Sequence, residues 1–347
     1  MKAFQVSEHA HPSKIKVSEI PSPKADPKKG QVLVDVYAAG LNFFDILQSQ
    51  GKYQTQPPLP FVLGSELAGV ISPDSELPED CPYSPGDRVF GYAQGAYAEQ
   101  VVADWRALIP VPEILSLEEA ATVFLTITTS YAAIVDRAQA QEGEWVLVHA
   151  GAGGVGLAAC QIAKEQGCKV IATASSEEKR KACIDYGGAD EVVDYTKKDW
   201  QNEVKRITGG EGVNVVFDPV GMIIPSLKCV AWNARLVVVG FAAGSIEKIP
   251  ANLLLLKQVA VTGIFWGGTQ VKDPASVFRV TFAVLDLLSS GKVKPVLYDK
   301  MYKGLETVSE GLGDIEQRKV WGKAVVRIRD GAGSKGSDED EKVRAKL

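Results

Sequence analysis

Between Trp145 and Gly156 an apolar, strand-like run, Trp145-Val-Leu-Val-His149-Ala150, leads straight into Gly151-Ala152-Gly153-Gly154-Val155-Gly156. A strand followed by G-x-G-x-x-G and then a helix is the fingerprint of a dinucleotide site. In that reading Gly151 permits the tight turn, Gly153 lets the backbone approach a pyrophosphate, and Gly156 lets the helix pack closely on the strand. With Gly154 and Val155 they form the candidate cofactor turn, where free N–H groups at the helix start face the phosphates. Glycine-rich turns are common by themselves. The strand before this one and the helix after it make it specific.

The following residues narrow the cofactor. The helix reads Val155 to Gln166, with Gly167 as its stop, and the next strand is Lys169-Val-Ile-Ala-Thr-Ala174. A site built for NAD would place Asp or Glu near the end of that strand, to accept from the ribose 2′-hydroxyl. This chain has Ala174, Ser175 and Ser176 there, then Lys179 and Arg180 a turn later. Small hydroxyl residues and a lysine suit a 2′-phosphate, so NADPH is the expected cofactor. Glu177 and Glu178 complicate this charge logic. They read as first-turn residues of the next helix, favoured by its dipole and pointing away from the ribose.

At 347 residues the chain is long for one domain, and 46% hydrophobic content is ordinary for a globular protein. A net charge of −5 gives no basic footprint, so nucleic acid is not expected as a partner. No apolar run reaches membrane-spanning length and no signal-peptide pattern opens the chain, so no membrane association is expected. Five cysteines without C-x-x-C spacing argue for a reducing compartment and against structural zinc.

A strand-rich unit precedes the motif, with runs at Gln31–Tyr37, Ala68–Ile71, Arg88–Phe90 and Tyr97–Val102 separated by turn residues. That pattern suits a small, partly closed barrel-like domain. After Leu117 the reading is helical, and from Trp145 to Ile264 strands alternate with helices, with later strands at Val213–Phe217, Arg235–Val239 and Val259–Gly263. Such alternation predicts a doubly wound parallel sheet, so the fold class is α/β. Pro274 to Ser289 reads as an amphipathic helix and Trp321 to Ile328 as a closing strand.

Gly64-Ser-Glu66-Leu-Ala-Gly69, Pro85-Gly86-Asp87-Arg88-Val89, His149 through Gly156, and Phe217-Asp218-Pro219-Val220-Gly221 occur in order. With Ala39-Gly40-Leu41-Asn42-Phe43-Phe44-Asp45, they make the chain resemble the zinc-free quinone oxidoreductase branch of the medium-chain dehydrogenase/reductase superfamily, over about residues 1 to 329. Pro250-Ala-Asn-Leu-Leu-Leu-Leu-Lys257 with Gly263-Ile-Phe-Trp-Gly267 resembles its zeta-crystallin-like, quinone-oxidoreductase-like-2 subgroup. The resemblance implies a GroES-like catalytic domain over 1–124 and 265–329, interrupted by a Rossmann NADPH-binding domain over 125–264. Residues 330–347 read as a disordered charged tail. Zinc-dependent relatives place a Cys where this chain reads Gly40-Leu41-Asn42 and a Gly-His-Glu where it reads Gly64-Ser65-Glu66. They also insert a four-cysteine lobe where it reads Gly91 to Tyr97. Without Cys and His ligands there is no Lewis acid for an alkoxide, so no metal site and no alcohol oxidation are expected.

Quinones and enones accept hydride at carbon, and the developing charge sits on a conjugated oxygen that needs a hydrogen-bond donor. The resemblance puts Asn42 and Tyr53 beside the nicotinamide in that role. Ordinary alternatives are a turn residue bonding its own backbone for Asn42 and a half-buried aromatic for Tyr53. Asp45 reads as structural. The resemblance further implies Thr129 beside the carboxamide, Ser175, Lys179 and Tyr195 around the 2′-phosphate, and Gly240 and Phe241 along the nicotinamide half. Arg318 would reach back toward the 2′-phosphate, or be a solvated helix-end charge. His149 reads as a satisfied core histidine.

The function expected is an NADPH-dependent, zinc-independent reductase of quinones or α,β-unsaturated carbonyls. An enoyl-thioester reductase and an NADPH-binding protein with negligible turnover remain open. The apolar strand Val259–Gly263 should not stay an open edge, and the solution that the resemblance implies is a homodimer. Ala345-Lys346-Leu347 resembles a peroxisomal address read by an import receptor, so the expected location is the cytoplasm or the peroxisome.

Overall fold

Short apolar runs broken by turn residues make the first part of the chain a set of antiparallel strands, and Glu66–Ile71 among them is buried throughout. They are β1 (Lys2–Val6), β2 (Val17–Glu19), β3 (Gln31–Gly40), β4 (Phe61–Val62), β5 (Glu66–Ile71), β6 (Arg88–Tyr92), β7 (Gln100–Asp104) and β8 (Leu108–Pro110). The computed structural model describes residues 1–244 and 246–330. One sheet runs β2-β1-β4; the other runs from strand Tyr302–Lys303 through strand Val325–Arg327 to β3, β5, β6 and β8, with β7 also on β3. Their shared core holds Phe4, Val34, Val36, Leu67, Tyr97, Tyr302 and Val326.

Tyr97 to Glu99 lies outside the strand expected at Tyr97–Val102, because β7 begins only at Gln100. The Tyr97 N–H donates to Leu63 O (2.9 Å) and its carbonyl accepts from Phe4 N (2.8 Å), so its backbone is bound elsewhere.

The second unit is built on a parallel six-stranded sheet, the Rossmann arrangement, with order β11-β10-β9-β12-β13-β14. These strands are β9 (Trp145–Val148), β10 (Lys169–Thr173), β11 (Glu191–Val193), β12 (Val213–Asp218), β13 (Val230–Val238) and β14 (Ala260–Gly263). The inner strands read as unbroken apolar runs because both faces are covered. Leu147, Ile171, Val216 and Leu236 share one core with Trp200. Strand order reverses between β9 and β12, and in such sheets ligands bind at the carboxyl ends around that point.

The described residues divide into 1–124, 298–320 and 324–330 as one compact unit, and 125–297 with Trp321–Lys323 as the other. Residues 265–297, which the resemblance assigned to the GroES-like domain, therefore belong with the parallel sheet. The helix Pro274–Ser289 shows the reason. Its stripe Val280, Thr281, Val284 and Leu288 is buried, and Arg279 pairs with Asp136 at 2.6 Å. The expected closing strand likewise shrinks to Val325–Arg327. Residues 331–347, with Ala345-Lys346-Leu347, lie outside the described residues. Among the described residues no helix is long and apolar enough to cross a membrane.

His149, just past β9, is fully buried, with Nε2 against Ser226 Oγ (2.7 Å) and Nδ1 against Thr173 Oγ1 (3.2 Å). Burial pushes its pKa down to about 3. The unfolded chain therefore takes up the proton first, and stability present above pH 6.5 is lost as the pH falls toward 3. The loss reaches up to about 5 kcal/mol at the lower end. Urea unfolding from pH 7 to pH 4 should show this decline, and NMR should show the His149 ring neutral at pH 5.

Candidate functional site

The glycine-rich turn is shaped by steric limits. Ala150 takes a left-handed φ of 48°, so the left-handed backbone of the turn falls at Ala150 rather than at Gly151. Gly151 is needed for a different reason: a Cβ there would lie 2.7 Å from Ala172 Cβ and 3.2 Å from Cys183 Sγ. A Cβ on Gly156 would meet the Ala150 carbonyl oxygen at 2.2 Å, closer than any real contact. Around Gly153 a Cβ would find only the Ala150 oxygen, at 3.3 Å, so that side of the turn is open. The helix Gly154–Glu165 starts immediately afterward. Its first N–H groups, including that of Val155, lack intrahelical partners, as at any helix start.

Other candidates gather at the carboxyl ends of the same sheet. Thr173 pairs with Val193 across β10 and β11, so Ser175 and Tyr195 follow at matching positions. Ser176 caps the helix Glu177–Asp185, accepting from Lys179 N at 3.3 Å. Arg180 is held to Asp194 at 3.4 Å. Gly240 and Phe241 follow β13; Gly240 N reaches Asp218 O at 3.4 Å, and Phe241 is exposed. The Asp218 carboxylate accepts from the N–H groups of Val220, Gly221 and Met222, fixing the neighbouring turn. Thr129 sits in a single α-turn, Thr128–Tyr131, between π-helical stretches Val123–Ile127 and Ala132–Arg137. π-Helical turns recur at functional sites. Ser130 Oγ donates to Val155 O at 2.7 Å, tying that turn to the start of the helix.

Asn42, Tyr53 and Arg318 belong to the first unit. Arg318 is exposed after the helix Val308–Glu316, with a left-handed φ of 57°. Asn42 precedes the helix Phe43–Ser49; its Nδ2 donates to Gly40 O (3.2 Å) and its N–H to Asp45 Oδ2 (2.9 Å). The buried Asp45 carboxylate also accepts from the fully buried Tyr97 hydroxyl at 2.5 Å. Tyr53, half-buried against Phe44 with ring centroids 5.2 Å apart, has its phenol pKa raised by burial, then by Tyr92 and Asp45. Tyr92, at the end of β6, is raised mainly by burial. Both phenols therefore keep their protons at neutral pH and can donate.

Sequence reasoning did not single out Tyr92 or Tyr97. Strand periodicity sets Tyr92 on the face of Phe90, but no spacing links it to Tyr53. Among the described residues no group of three His, Cys, Asp or Glu could hold a metal ion.

Two family descriptions match the chain: "Alcohol dehydrogenase GroES-like domain" over residues 28–113 and "Zinc-binding dehydrogenase" over 154–280. Quinone oxidoreductase-like protein 2 of Rattus norvegicus is 38% identical over 304 residues, 86% of this chain and 85% of that protein. The Escherichia coli quinone oxidoreductase structure complexed with NADPH is 28% identical with a TM-score of 0.85, covering 94% of this chain and 100% of that one. A mycobacterial structure complexed with NADPH gives 30% and 0.86, covering 94% and 99%. The chain belongs to the quinone oxidoreductase branch of the medium-chain dehydrogenase/reductase superfamily.

Tyr97→Phe removes the hydroxyl that the buried Asp45 carboxylate accepts from, and should cost about 1–3 kcal/mol. Urea denaturation of the variant beside the parent measures it directly.

Proposed function

We propose that this chain is an NADPH-dependent reductase that delivers hydride to quinones or α,β-unsaturated carbonyls without a metal. The observation that carries the reading is the end of β10, where Ser175, Ser176 and Lys179 stand in place of a carboxylate beside the glycine-rich turn. The open face at Gly153 leaves room for a pyrophosphate against the backbone. The NADPH complexes of the Escherichia coli and mycobacterial relatives support the same cofactor.

When bound, NADPH supplies the hydride. The helix start at Gly154 and Val155 would hold its pyrophosphate, and Ser175, Lys179 and Tyr195 its 2′-phosphate, with Arg318 assigned there by the resemblance alone. Thr129, Gly240 and Phe241 would border the nicotinamide. As hydride reaches carbon, charge develops on the acceptor's conjugated oxygen. Asn42 and Tyr53 donate hydrogen bonds to it, with Tyr92 as a further phenol near Tyr53. Asn42 and Ser65 are neutral oxygen and nitrogen groups, poor substitutes for the thiolate and imidazole that zinc prefers.

The chain also forms a homodimer through β14, which among the described residues pairs with β13 alone, at the end of the sheet. Leu255, Leu256, Phe265, Phe278 and Phe282 in the same unit are exposed, an apolar surface a second copy would cover.

Lys179→Ala should raise the KM for NADPH about tenfold to hundredfold, with little change for NADH. Equal use of both cofactors by the parent would overturn the cofactor reading. Tyr53→Phe should lower kcat about tenfold to hundredfold across a panel of quinones and enals. Enoyl thioesters in the panel test the acyl alternative, and turnover should survive dialysis against a strong chelator. Light scattering at micromolar concentration should report a dimer.

A further inference from the structure

Glu178 is the residue that sits worst with a 2′-phosphate. It lies in the first turn of the helix Glu177–Asp185, directly before Lys179 and three residues after Ser175. A carboxylate free to turn toward that phosphate would repel it. The structure shows where the carboxylate goes: Glu178 Oε1 accepts from the indole Nε1–H of Trp321 at 3.1 Å.

Trp321 is itself anchored. It is buried and stacks on Tyr186, with ring centroids 5.1 Å apart and planes at 9°. The next residues bind by their backbone: Gly322 N donates to Ala152 O (2.7 Å) inside the glycine-rich turn, and Lys323 N to Val296 O (2.8 Å). The ring is fixed by packing and by its neighbours, so the exposed carboxylate comes to the indole rather than the reverse. An aromatic N–H is a donor only and cannot accept from Lys179 or compete for the phosphate.

We propose that Trp321 is a positioning residue for cofactor choice: it holds the Glu178 carboxylate against its indole N–H and keeps that charge off Ser175 and Lys179. The inference rests on the reading of those two residues as the 2′-phosphate seat. Its structural half, the indole–carboxylate contact, does not depend on that reading.

Trp321→Phe keeps a ring to stack on Tyr186 but has no N–H. In this variant the KM for NADPH should rise about fivefold, while kcat and the KM for NADH stay within about twofold. Adding Glu178→Gln should restore the NADPH KM. A parallel rise for both cofactors, or no restoration, overturns the proposal. Glu178→Gln alone should shift the NADPH KM by less than about twofold, and a several-fold fall would show the carboxylate already facing the phosphate. That variant can overturn the proposal even where Trp321→Phe does not fold. In the cofactor-free protein, Glu178→Ala should displace the Trp321 indole N–H resonance, and an unmoved resonance overturns the contact itself. Absence of any NADPH preference in the parent, with the resonance displaced, refutes the phosphate seat and leaves the contact standing.

Discussion

The second unit depends on how closely the chain passes itself between Ala150 and Gly156. The Ala150 carbonyl oxygen would lie 2.2 Å from a Cβ at residue 156, so the helix can lie this close to β9 only if that residue has no side chain. The same contact sets where the helix begins, and hence where its unpaired N–H groups are. Gly151 adds the second restriction, because Ala172 and Cys183 leave no volume beside it. The turn is held rigidly by packing on one side and left open on the other. A backbone anion site needs that combination, since donors must be fixed before the anion arrives.

The first unit solves a different problem. A carboxylate with no exposure to water, Asp45, costs free energy unless its oxygens are bonded. The Asn42 N–H and the Tyr97 hydroxyl both donate to Oδ2, and in doing so they fix the entry to the helix Phe43–Ser49. Burial and the neighbouring carboxylate raise the pKa of Tyr53, Tyr92 and Tyr97 alike. Asp45 thus anchors Asn42 and the Tyr97 hydroxyl at the start of that helix. One amide proton of the Asn42 side chain goes to Gly40 O.

Legibility in the sequence followed the range of the interaction. The helix Pro274–Ser289 was readable to the residue, because an Asp273 cap, a proline at its first turn and a 3.6-residue apolar period are all local signals. Its membership was not, since nothing local says which unit Val280 and Val284 will pack against. The strand expected from Tyr97 fails at its first residues for a comparable reason. Tyr97 is spent on Asp45, Leu63 and Phe4, all distant in sequence. Arg180 looked as available as Lys179 until its pairing with Asp194 placed it elsewhere.

The sequence by itself determined the parallel sheet, the strand–turn–helix at residue 150 and the missing carboxylate after β10. Each rests on periodicity or on residue types a few positions apart, which the covalent chain holds together before folding. Only the tertiary structure decided that Ala150 takes the strained backbone, that Tyr92 joins Tyr53, and that Trp321 claims Glu178 across more than a hundred residues. Those outcomes depend on which buried polar groups find partners, and in a folded chain partners are set by the packing of whole elements.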